Sequence, residues 1–397
     1  MEADRMEADR IAWMSAEMDM GQAPRRGPNP AHGPLLGVAR AIVHPPRRPG
    51  RAMPTPQPPC APLKILSCDA ARPMARTVAR ILGQPLVEVE ETWFSCGEGK
   101  FIIHENVRGD DLYIFQAAIV PAASGARPER SVYDRFVMLL HAVEAAALSD
   151  AQHITAVLPY YPAARQDKRK GRTREGISAG LFARCLQEAG ATRVLCVDIH
   201  NPAIAGMFSP DRCRLENVSL THRFSRWLRR QGLCGDTVAS PDLGGMERAR
   251  DYAAELKTGL VGLSKERDYT STSTVLRSTL IGDVDGRDVL LVDDMIDTGG
   301  SVVAAVEELK RHGARHVTVA ATHPIMSGPA WDRMDALATR AAAEGWRFRL
   351  VGTSAIRHPD PPDYYREYAI EPLLAAVIEH INRRGSVTGA QQGEDRS

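Results

Sequence analysis

Two segments of the sequence align with each other without a gap. LQEAGATRVLCVDIH (Leu186 to His200) matches LKRHGARHVTVAATH (Leu309 to His323) at Leu, Gly-Ala, Val and His. Each segment reads as the end of a helix, a glycine suited to the left-handed residue that follows it, and then an apolar strand. Chance can produce such a match in a chain of repeated strand-helix-strand units, but internal duplication explains it better. We therefore expect two similar α/β domains.

The same alternation of strand and helix extends along the chain from about Leu63. ITAVLPYY, ISAGLFARCLQEAG and RVLCVDIH read as strand, helix and strand, and DVLLVDD, SVVAAVEELKRHG and HVTVAATH repeat that order. Strands that are joined through helices are typical of mostly parallel sheets. The predicted fold class is α/β, in which each domain is a mostly parallel sheet flanked by helices.

The start of the chain has a different composition from the rest. A direct repeat, MEADRMEADR, precedes a stretch rich in proline, arginine and glycine. Such a composition buries too little apolar surface to offset chain entropy, so we expect a disordered extension over residues 1–62. The expected domains are 63–216 and 217–362. Over 363–397 we expect a helix that returns to the first domain, followed by a frayed tail.

Charge and cysteine content exclude several classes of protein. The formal net charge is +1 and the pI is about 7.7, which gives no global field to attract nucleic acid. The seven cysteines are scattered and form no Cys-x-x-Cys pair, so reduced thiols in a cytoplasmic protein are expected. The sequence has no run of about 18 apolar residues, so membrane insertion is not expected.

The segment VLLVDDMIDTGGSV (Val289 to Val302) gives the strongest indication of chemistry. An apolar strand runs into Asp293 and Asp294, and then into DTGGS at the start of an amphipathic helix. Ligands of parallel sheets bind at the carboxyl ends of the strands, and free N–H groups at a helix N-terminus favour phosphate. The paired carboxylates suit sugar hydroxyls or a metal. A simple capped turn is the alternative for DTGG alone, but the acid pair favours a pocket for a phosphorylated sugar.

This segment resembles the phosphoribosyl diphosphate-binding signature shared by phosphoribosyltransferases and ribose-phosphate diphosphokinases. Five further segments are similar to the diphosphokinases and run in that family's order: FSCGEGKFIIHENV (Phe94 to Val107), PYYPAARQDKRK (Pro159 to Lys170), DIH (Asp198 to His200), SPDLGG (Ser240 to Gly245) and KER (Lys265 to Arg267). A typical phosphoribosyltransferase has one such domain and no ATP site. The chain therefore resembles the ribose-phosphate diphosphokinase family, with two phosphoribosyltransferase-type domains.

The resemblance implies a role for each matched residue. The ATP-binding residues would be Phe94, Cys96, Glu98, Arg165, Gln166, Lys168 and His200. The ribose 5-phosphate-binding residues would be Asp293, Asp294, Asp297, Thr298, Gly299, Gly300 and Ser301. The diphosphate loop would contain Asp242, Gly244 and Gly245, the catalytic pair would be Lys265 and Arg267, and the magnesium ligands would be His200 and Asp242. Cys96 departs from the family, which usually has Asp there; a thiol is a weak partner for the adenine amino group.

The implied reaction transfers diphosphate from Mg-ATP to the C1 hydroxyl of D-ribose 5-phosphate. The products would be 5-phospho-α-D-ribose 1-diphosphate and AMP, for nucleotide biosynthesis. Mg²⁺ is the implied cofactor. The resemblance also implies self-association as a dimer or hexamer, with the ATP site shared between subunits. No nucleic acid or membrane partner is expected, and the expected location is the cytoplasm.

Two alternatives from other functional classes stay open. The first is a catalytically silent regulatory subunit, against which the presence of Lys265, Arg267, His200 and Asp242 argues. The second is a phosphoribosyltransferase, against which the ARQDK segment and the duplication argue. Regulation is a further hypothesis: the segment Gln116 to Asp134 differs from the family's usual polar turn, so altered or absent control by ADP and phosphate is expected.

Overall fold

The strands and helices follow the alternation seen in the sequence. The computed structural model describes residues 57–121, 129–267 and 275–393, with the backbone only for 265–267 and 275–278. The strands are β1 (Leu63–Ser67), β2 (Val89–Trp93), β3 (Gly99–Ile103), β4 (Asp111–Phe115), β5 (His153–Val157), β6 (Arg193–Val197), β7 (Arg214–Val218), β8 (Thr237–Ser240), β9 (Gly259–Arg267), β10 (Val275–Ile281), β11 (Asp288–Ile296), β12 (His316–Pro324), β13 (Phe348–Thr353) and β14 (Tyr365–Tyr368). The helices are α1 (Arg72–Ile81), α2 (Val132–Leu148), α3 (Ser178–Glu188), α4 (Thr221–Arg230), α5 (Met246–Leu256), α6 (Gly300–Arg311), α7 (Ala330–Ala343), α8 (Glu371–Asn382) and α9 (Val387–Gln392).

The strands form two large sheets and a separate hairpin. The first sheet has five parallel strands in the order β1-β4-β5-β6-β7. The second has seven strands in the order β10-β9-β8-β11-β12-β13-β14, parallel except for the β9-β10 pair. Strands β2 and β3 form an antiparallel hairpin. The predicted α/β class, with two mostly parallel sheets flanked by helices, is confirmed, and the boundary expected after residue 216 lies within β7.

One apolar core connects the two sheets. Tyr113 and Phe115 of β4 belong to the same buried cluster as Leu290 and Val292 of β11, together with side chains of α1, α4, α5 and α8. A second cluster lies beneath α2 and α3, and a third beneath α6 and α7. Because the shared cluster spans both sheets, the described residues form one compact unit.

Helix α8 returns to the first sheet and is anchored there by hydrogen bonds. Its last residue, Asn382, donates from Nδ2 to the backbone oxygen of Ala61 at 3.0 Å and to Oδ2 of Asp111 at 2.9 Å. The hydroxyl of Tyr113 lies 3.5 Å from the backbone oxygen of Ile378. Helix α8 therefore links the C-terminal part of the described chain to β4 and the residues before β1.

The frayed tail expected for GAQQGEDRS, residues 389–397, is wrong for 389–392, which belong to α9. Ser386 caps the helix by accepting a hydrogen bond from the amide of Gly389 at 3.1 Å. Arg223 of α4 donates to the backbone oxygen of Ala390 at 2.7 Å, and Ala390 is buried. The polar composition of the segment gave no indication of this helix. Its buried residues, Gly389 and Ala390, are small, so the helix can pack closely on α4.

Disorder was expected over residues 1–62, and residues 1–56 of that range lie outside the described residues. Within the ranges given above, no helix is long and apolar enough to cross a bilayer.

Candidate active site

Strands from both sheets point their carboxyl ends at one cleft. The cleft has a volume of about 830 Å³ and is lined by the loops that follow β5, β6, β8 and β11. Of the residues expected at the site, those lining it are Arg165, Lys168, His200, Asp242, Gly244, Gly245, Asp293, Asp294, Asp297, Thr298, Gly299, Gly300 and Ser301. Parallel strand ends bring these loops together although the first and the last lie more than a hundred positions apart in sequence.

The two neighbouring carboxyl groups of β11, Asp293 and Asp294, have pKa values that are shifted in opposite directions. His200 Nδ1 lies 2.6 Å from Oδ2 of Asp294. Burial opposes ionisation of Asp294, but the hydrogen bond from His200 and the positive charge of Arg248 outweigh it and hold its pKa at about 2. Burial and then the charge of Asp294 raise the pKa of Asp293 well above its usual range. One carboxylate is therefore fixed as an anion, and its neighbour is the easier to protonate.

Asp198 directly follows β6 of the first sheet and contacts Thr322 in β12 of the second, so it connects the two sides of the cleft. Its backbone has a φ of +40°, which is strained for a residue other than glycine. Its carboxylate accepts hydrogen bonds from the amide of Leu220 at 3.1 Å and the hydroxyl of Thr322 at 2.7 Å. Arg248 of α5 lies 3.7 Å from the same carboxylate. These contacts hold the turn that presents His200 to the cleft.

The loop between β11 and α6 has the geometry expected of a phosphate cradle. Gly299 has a φ of +77°, and a Cβ there would lie 3.0 Å from Cε of Met334, so the position requires glycine. Gly300 is the first residue of α6, where backbone N–H groups are not used by the helix itself. The loop therefore offers N–H donors and the positive end of a helix dipole to an anion.

Asp297 joins this loop to the loop after β5. Arg165 Nη2 donates to Oδ2 of Asp297 at 2.6 Å. The hydroxyl of Ser327 donates to the other carboxylate oxygen. Burial would raise the pKa of Asp297, but these two hydrogen bonds outweigh it and lower the pKa. The segments expected to bind ATP and the sugar phosphate are thus in direct contact.

Sequence reasoning missed several residues that line the cleft. Arg248 is one of them, and Asn201 and Asp167, which hydrogen-bond to each other, are two more. Arg248 follows a glycine pair at the start of a helix, and Asn201 follows the DIH segment directly, so both lie beside recognised motifs. Closeness in sequence to these motifs was the signal that could have identified Arg248 and Asn201 as cleft residues.

Comparisons with known proteins agree with this architecture. The model of the N-terminal domain of ribose phosphate pyrophosphokinase matches residues 63–190, and the phosphoribosyl transferase domain model matches residues 217–352. A ribose-phosphate pyrophosphokinase of Bacillus subtilis is 34% identical over 328 residues, which cover 82% of this chain and 96% of that protein. This chain belongs to the ribose-phosphate pyrophosphokinase family.

Two other members of the family extend the comparison. A ribose-phosphate pyrophosphokinase of Chlorobaculum tepidum is 41% identical over 275 residues, covering 69% of this chain and 80% of the other. The crystal structure of phosphoribosylpyrophosphate synthetase from Mycobacterium smegmatis has a TM-score of 0.70 and 31% identity, covering 82% of this chain and all of that one. The prediction that the chain is a ribose-phosphate diphosphokinase is confirmed by this membership.

Two of the implied site residues have the chemistry of a metal site in this pyrophosphokinase fold. With Nδ1 of His200 directed to Asp294, its Nε2 is the nitrogen left to bind a ligand, a pairing common for metal-binding histidines. Asp242 uses Oδ1 to cap the turn at Gly245 at 3.0 Å, which leaves Oδ2. The described residues contain no cluster of three or more His, Cys, Asp or Glu arranged to hold an ion. His200 and Asp242 could therefore hold a metal only if water and substrate phosphates supplied its remaining ligands.

Four more of the expected residues, on the β2-β3 hairpin and after β5, do not line the cleft, and two others have side chains that the structure does not describe. Phe94, Cys96 and Glu98 lie on the turn of the β2-β3 hairpin, and the side chain of Phe94 is 47% exposed. Gln166 is not part of the cleft lining, and its side-chain oxygen accepts a hydrogen bond from Ser178 at 2.7 Å. The backbone of Lys265 and Arg267 lies at the end of β9, and their side chains fall outside the described residues.

Proposed function

We propose that this pyrophosphokinase transfers the diphosphate of ATP to the C1 hydroxyl of ribose 5-phosphate, releasing AMP. The observation that carries the proposal is the contact between Arg165 and Asp297 across the cleft. It brings the loop of the implied ATP site and the loop of the implied sugar site within one hydrogen bond. Two substrates bound to these loops would have their reacting groups in the same cleft.

The sugar side of the proposed site would be residues 217–362. The cradle from Asp297 to Ser301 would bind the 5-phosphate at the start of α6. Asp293 and Asp294 lie in the last four residues of β11, shortly before the cradle, where their carboxylates can accept hydrogen bonds from ribose hydroxyls. This arrangement would direct C1 away from the cradle and towards the diphosphate loop at Asp242 to Gly245.

The ATP side of the proposed site would be residues 63–216. Arg165, Lys168 and His200 line the cleft on that side. In the reaction the C1 oxygen would form a bond with the β-phosphorus of ATP, and the bond between that phosphorus and the oxygen retained by AMP would break. The hydroxyl proton would leave with water or a nearby carboxylate. Such a transfer depends on positioning and on neutralising charge, which Lys265 and Arg267 would supply from β9.

Mg²⁺ is the metal we propose for the pair His200 and Asp242. It would neutralise charge on the diphosphate when bound. Because Mg²⁺ retains several waters and substrate phosphates in its shell, two protein ligands are enough. We also propose that the exposed hairpin carrying Phe94, Cys96 and Glu98 completes the ATP site of a neighbouring subunit, since in its own chain it does not line the cleft.

The test is incubation of the purified protein with ribose 5-phosphate and Mg-ATP. AMP and phosphoribosyl diphosphate should appear in equal amounts, and Lys265→Ala should abolish both. Lys64→Ala is a matched control, because Lys64 lies in β1 and its ammonium pairs with Glu105 and Asp110 rather than lining the cleft. Formation of ADP instead of AMP, or no turnover of ATP by a folded protein, would contradict the proposal.

A further inference from the structure

The segment that follows β12 and the start of α7 hold the beginning of the phosphate cradle. The amide of Met326 donates to the backbone oxygen of Ile296 at 2.9 Å, and the amide of Ser327 donates to that of Asp297 at 2.9 Å. The next contact comes from α7, where Arg333 Nη1 donates to the backbone oxygen of Thr298 at 2.6 Å. Three consecutive carbonyls, from Ile296 to Thr298, are therefore held where β11 runs into the cradle.

Arg333 differs from the other arginines around the cradle in its charge balance. Arg165 is paired with Asp297, and Arg248 lies beside Asp198. In the part of the chain that the structure describes, no carboxylate pairs with Arg333, and the one hydrogen bond of its guanidinium is to a neutral carbonyl. The side chain is exposed at the start of α7. Its positive charge is therefore not compensated by the protein.

The guanidinium also lies close to the place where an anion would bind. A Cβ on Gly300 would be 3.5 Å from Nη1 of Arg333 and 3.9 Å from its Cζ. Gly300 is the first residue of α6, whose N-terminus attracts anions through its free N–H groups and dipole. An uncompensated guanidinium at that distance adds a full charge to the partial charge of the helix.

We propose that Arg333 is a positioning residue that makes the sugar site selective for a phosphorylated sugar, an inference that rests on the proposed function. It acts in two ways. Its hydrogen bond to Thr298 fixes the peptide that precedes Gly299, and so fixes the direction of the cradle's N–H groups. Its charge lowers the free energy of a dianionic phosphate at the start of α6, whereas a neutral sugar gains nothing from it.

The experiment measures binding of ribose 5-phosphate to the full chain by calorimetry, with the ATP site saturated by magnesium and α,β-methylene-ATP. Arg333→Met removes the charge and the donor but keeps an unbranched apolar stem in place of the arginine's aliphatic part. It should raise the Kd for ribose 5-phosphate by about 10- to 100-fold, the range for losing a hydrogen bond to a charged group. Affinity for the nucleotide analogue and the Tm should stay close to wild type. Arg333→Lys keeps the charge and should recover most of the affinity.

Arg340→Met is the matched control. Arg340 lies on the same helix and pairs with Glu307 at 3.0 Å, so it makes no contact with the cradle. An Arg333→Met protein that binds ribose 5-phosphate as wild type does would overturn the inference, as would an equal loss of affinity for the nucleotide analogue and the sugar. If the wild-type protein itself does not bind ribose 5-phosphate, the proposed function fails instead.

Discussion

Replacing Arg165 with glutamine separates the functional role of its ion pair from any structural role. Arg165 and Asp297 meet at 2.6 Å, yet their side chains are 48% and 30% exposed. Solvent screening and the entropy of two long side chains limit such an exposed pair to about 0 to 1 kcal/mol of stability. For a unit of this size, that corresponds to a change in Tm of about 2 °C or less.

The effect on activity is expected to be much larger. Arg165 lines the cleft at the proposed ATP side and contacts the sugar loop through Asp297. Loss of a positioned charge at a transferring phosphate commonly lowers the rate by about 10²- to 10³-fold. We therefore expect kcat/KM to fall by about that factor in Arg165→Gln, measured as AMP formed at subsaturating ribose 5-phosphate, while the Tm by calorimetry changes little.

Arg212→Gln provides the comparison for this variant. Arg212 pairs with Glu188 at 2.8 Å, both side chains are more than half exposed, and neither lines the cleft. It should show the same small change in Tm and wild-type kinetics. The reasoning would be refuted if Arg165→Gln lost several degrees of Tm, since the pair would then be structural, or if its kcat/KM were unchanged.

Three further predictions concern the cradle, a buried histidine and the core. Gly299→Ala should raise the KM for ribose 5-phosphate about tenfold or more with little effect on the KM for ATP, because φ is +77° and the added Cβ would lie 3.0 Å from Met334 Cε. Its control is Gly345→Ala, at φ +72° with open space around the added Cβ, which should leave both KM values unchanged. Burial lowers the pKa of His323, so below pH ~6.5 the unfolded chain gains a proton that the folded chain does not, and the free energy of unfolding measured with urea should decrease as the pH is lowered. In His323→Gln that decrease should be smaller between about pH 7.5 and 5.5, and an unchanged slope would refute the prediction. Leu374→Ala, at a fully buried position of α8, should lower the free energy of unfolding by about 2–5 kcal/mol, and a loss below 1 kcal/mol would show that α8 is not part of the shared core.

Motifs on strand ends could be predicted from the sequence because their chemistry is local. VLLVDDMIDTGGSV combines a buried strand, an acid pair and a glycine-rich turn, and the structure has β11, the cleft carboxylates and the start of α6 at those positions. The alignment of Leu186 to His200 with Leu309 to His323 corresponds to α3-β6 and α6-β12. Local patterning and the carboxyl-end rule of parallel sheets were sufficient for these features.

Contacts between distant segments could not be predicted in the same way. The hydrogen bond from Arg333 to Thr298 joins residues 35 positions apart, and the pair Thr322 and Asp198 spans 124 positions. Neither arginine nor threonine in a helix or strand indicates by itself which loop it will meet. The helix α9 was missed for a related reason, since its stability comes from docking on α4 rather than from its composition.

The central claim is that both terminal phosphates of ATP move together to the sugar. ATP labelled at the β-phosphorus and incubated with ribose 5-phosphate, magnesium and the protein tests it most directly. The account predicts that the label enters phosphoribosyl diphosphate in step with release of unlabelled AMP. Label retained in ADP, with only the γ-phosphate transferred, would contradict it.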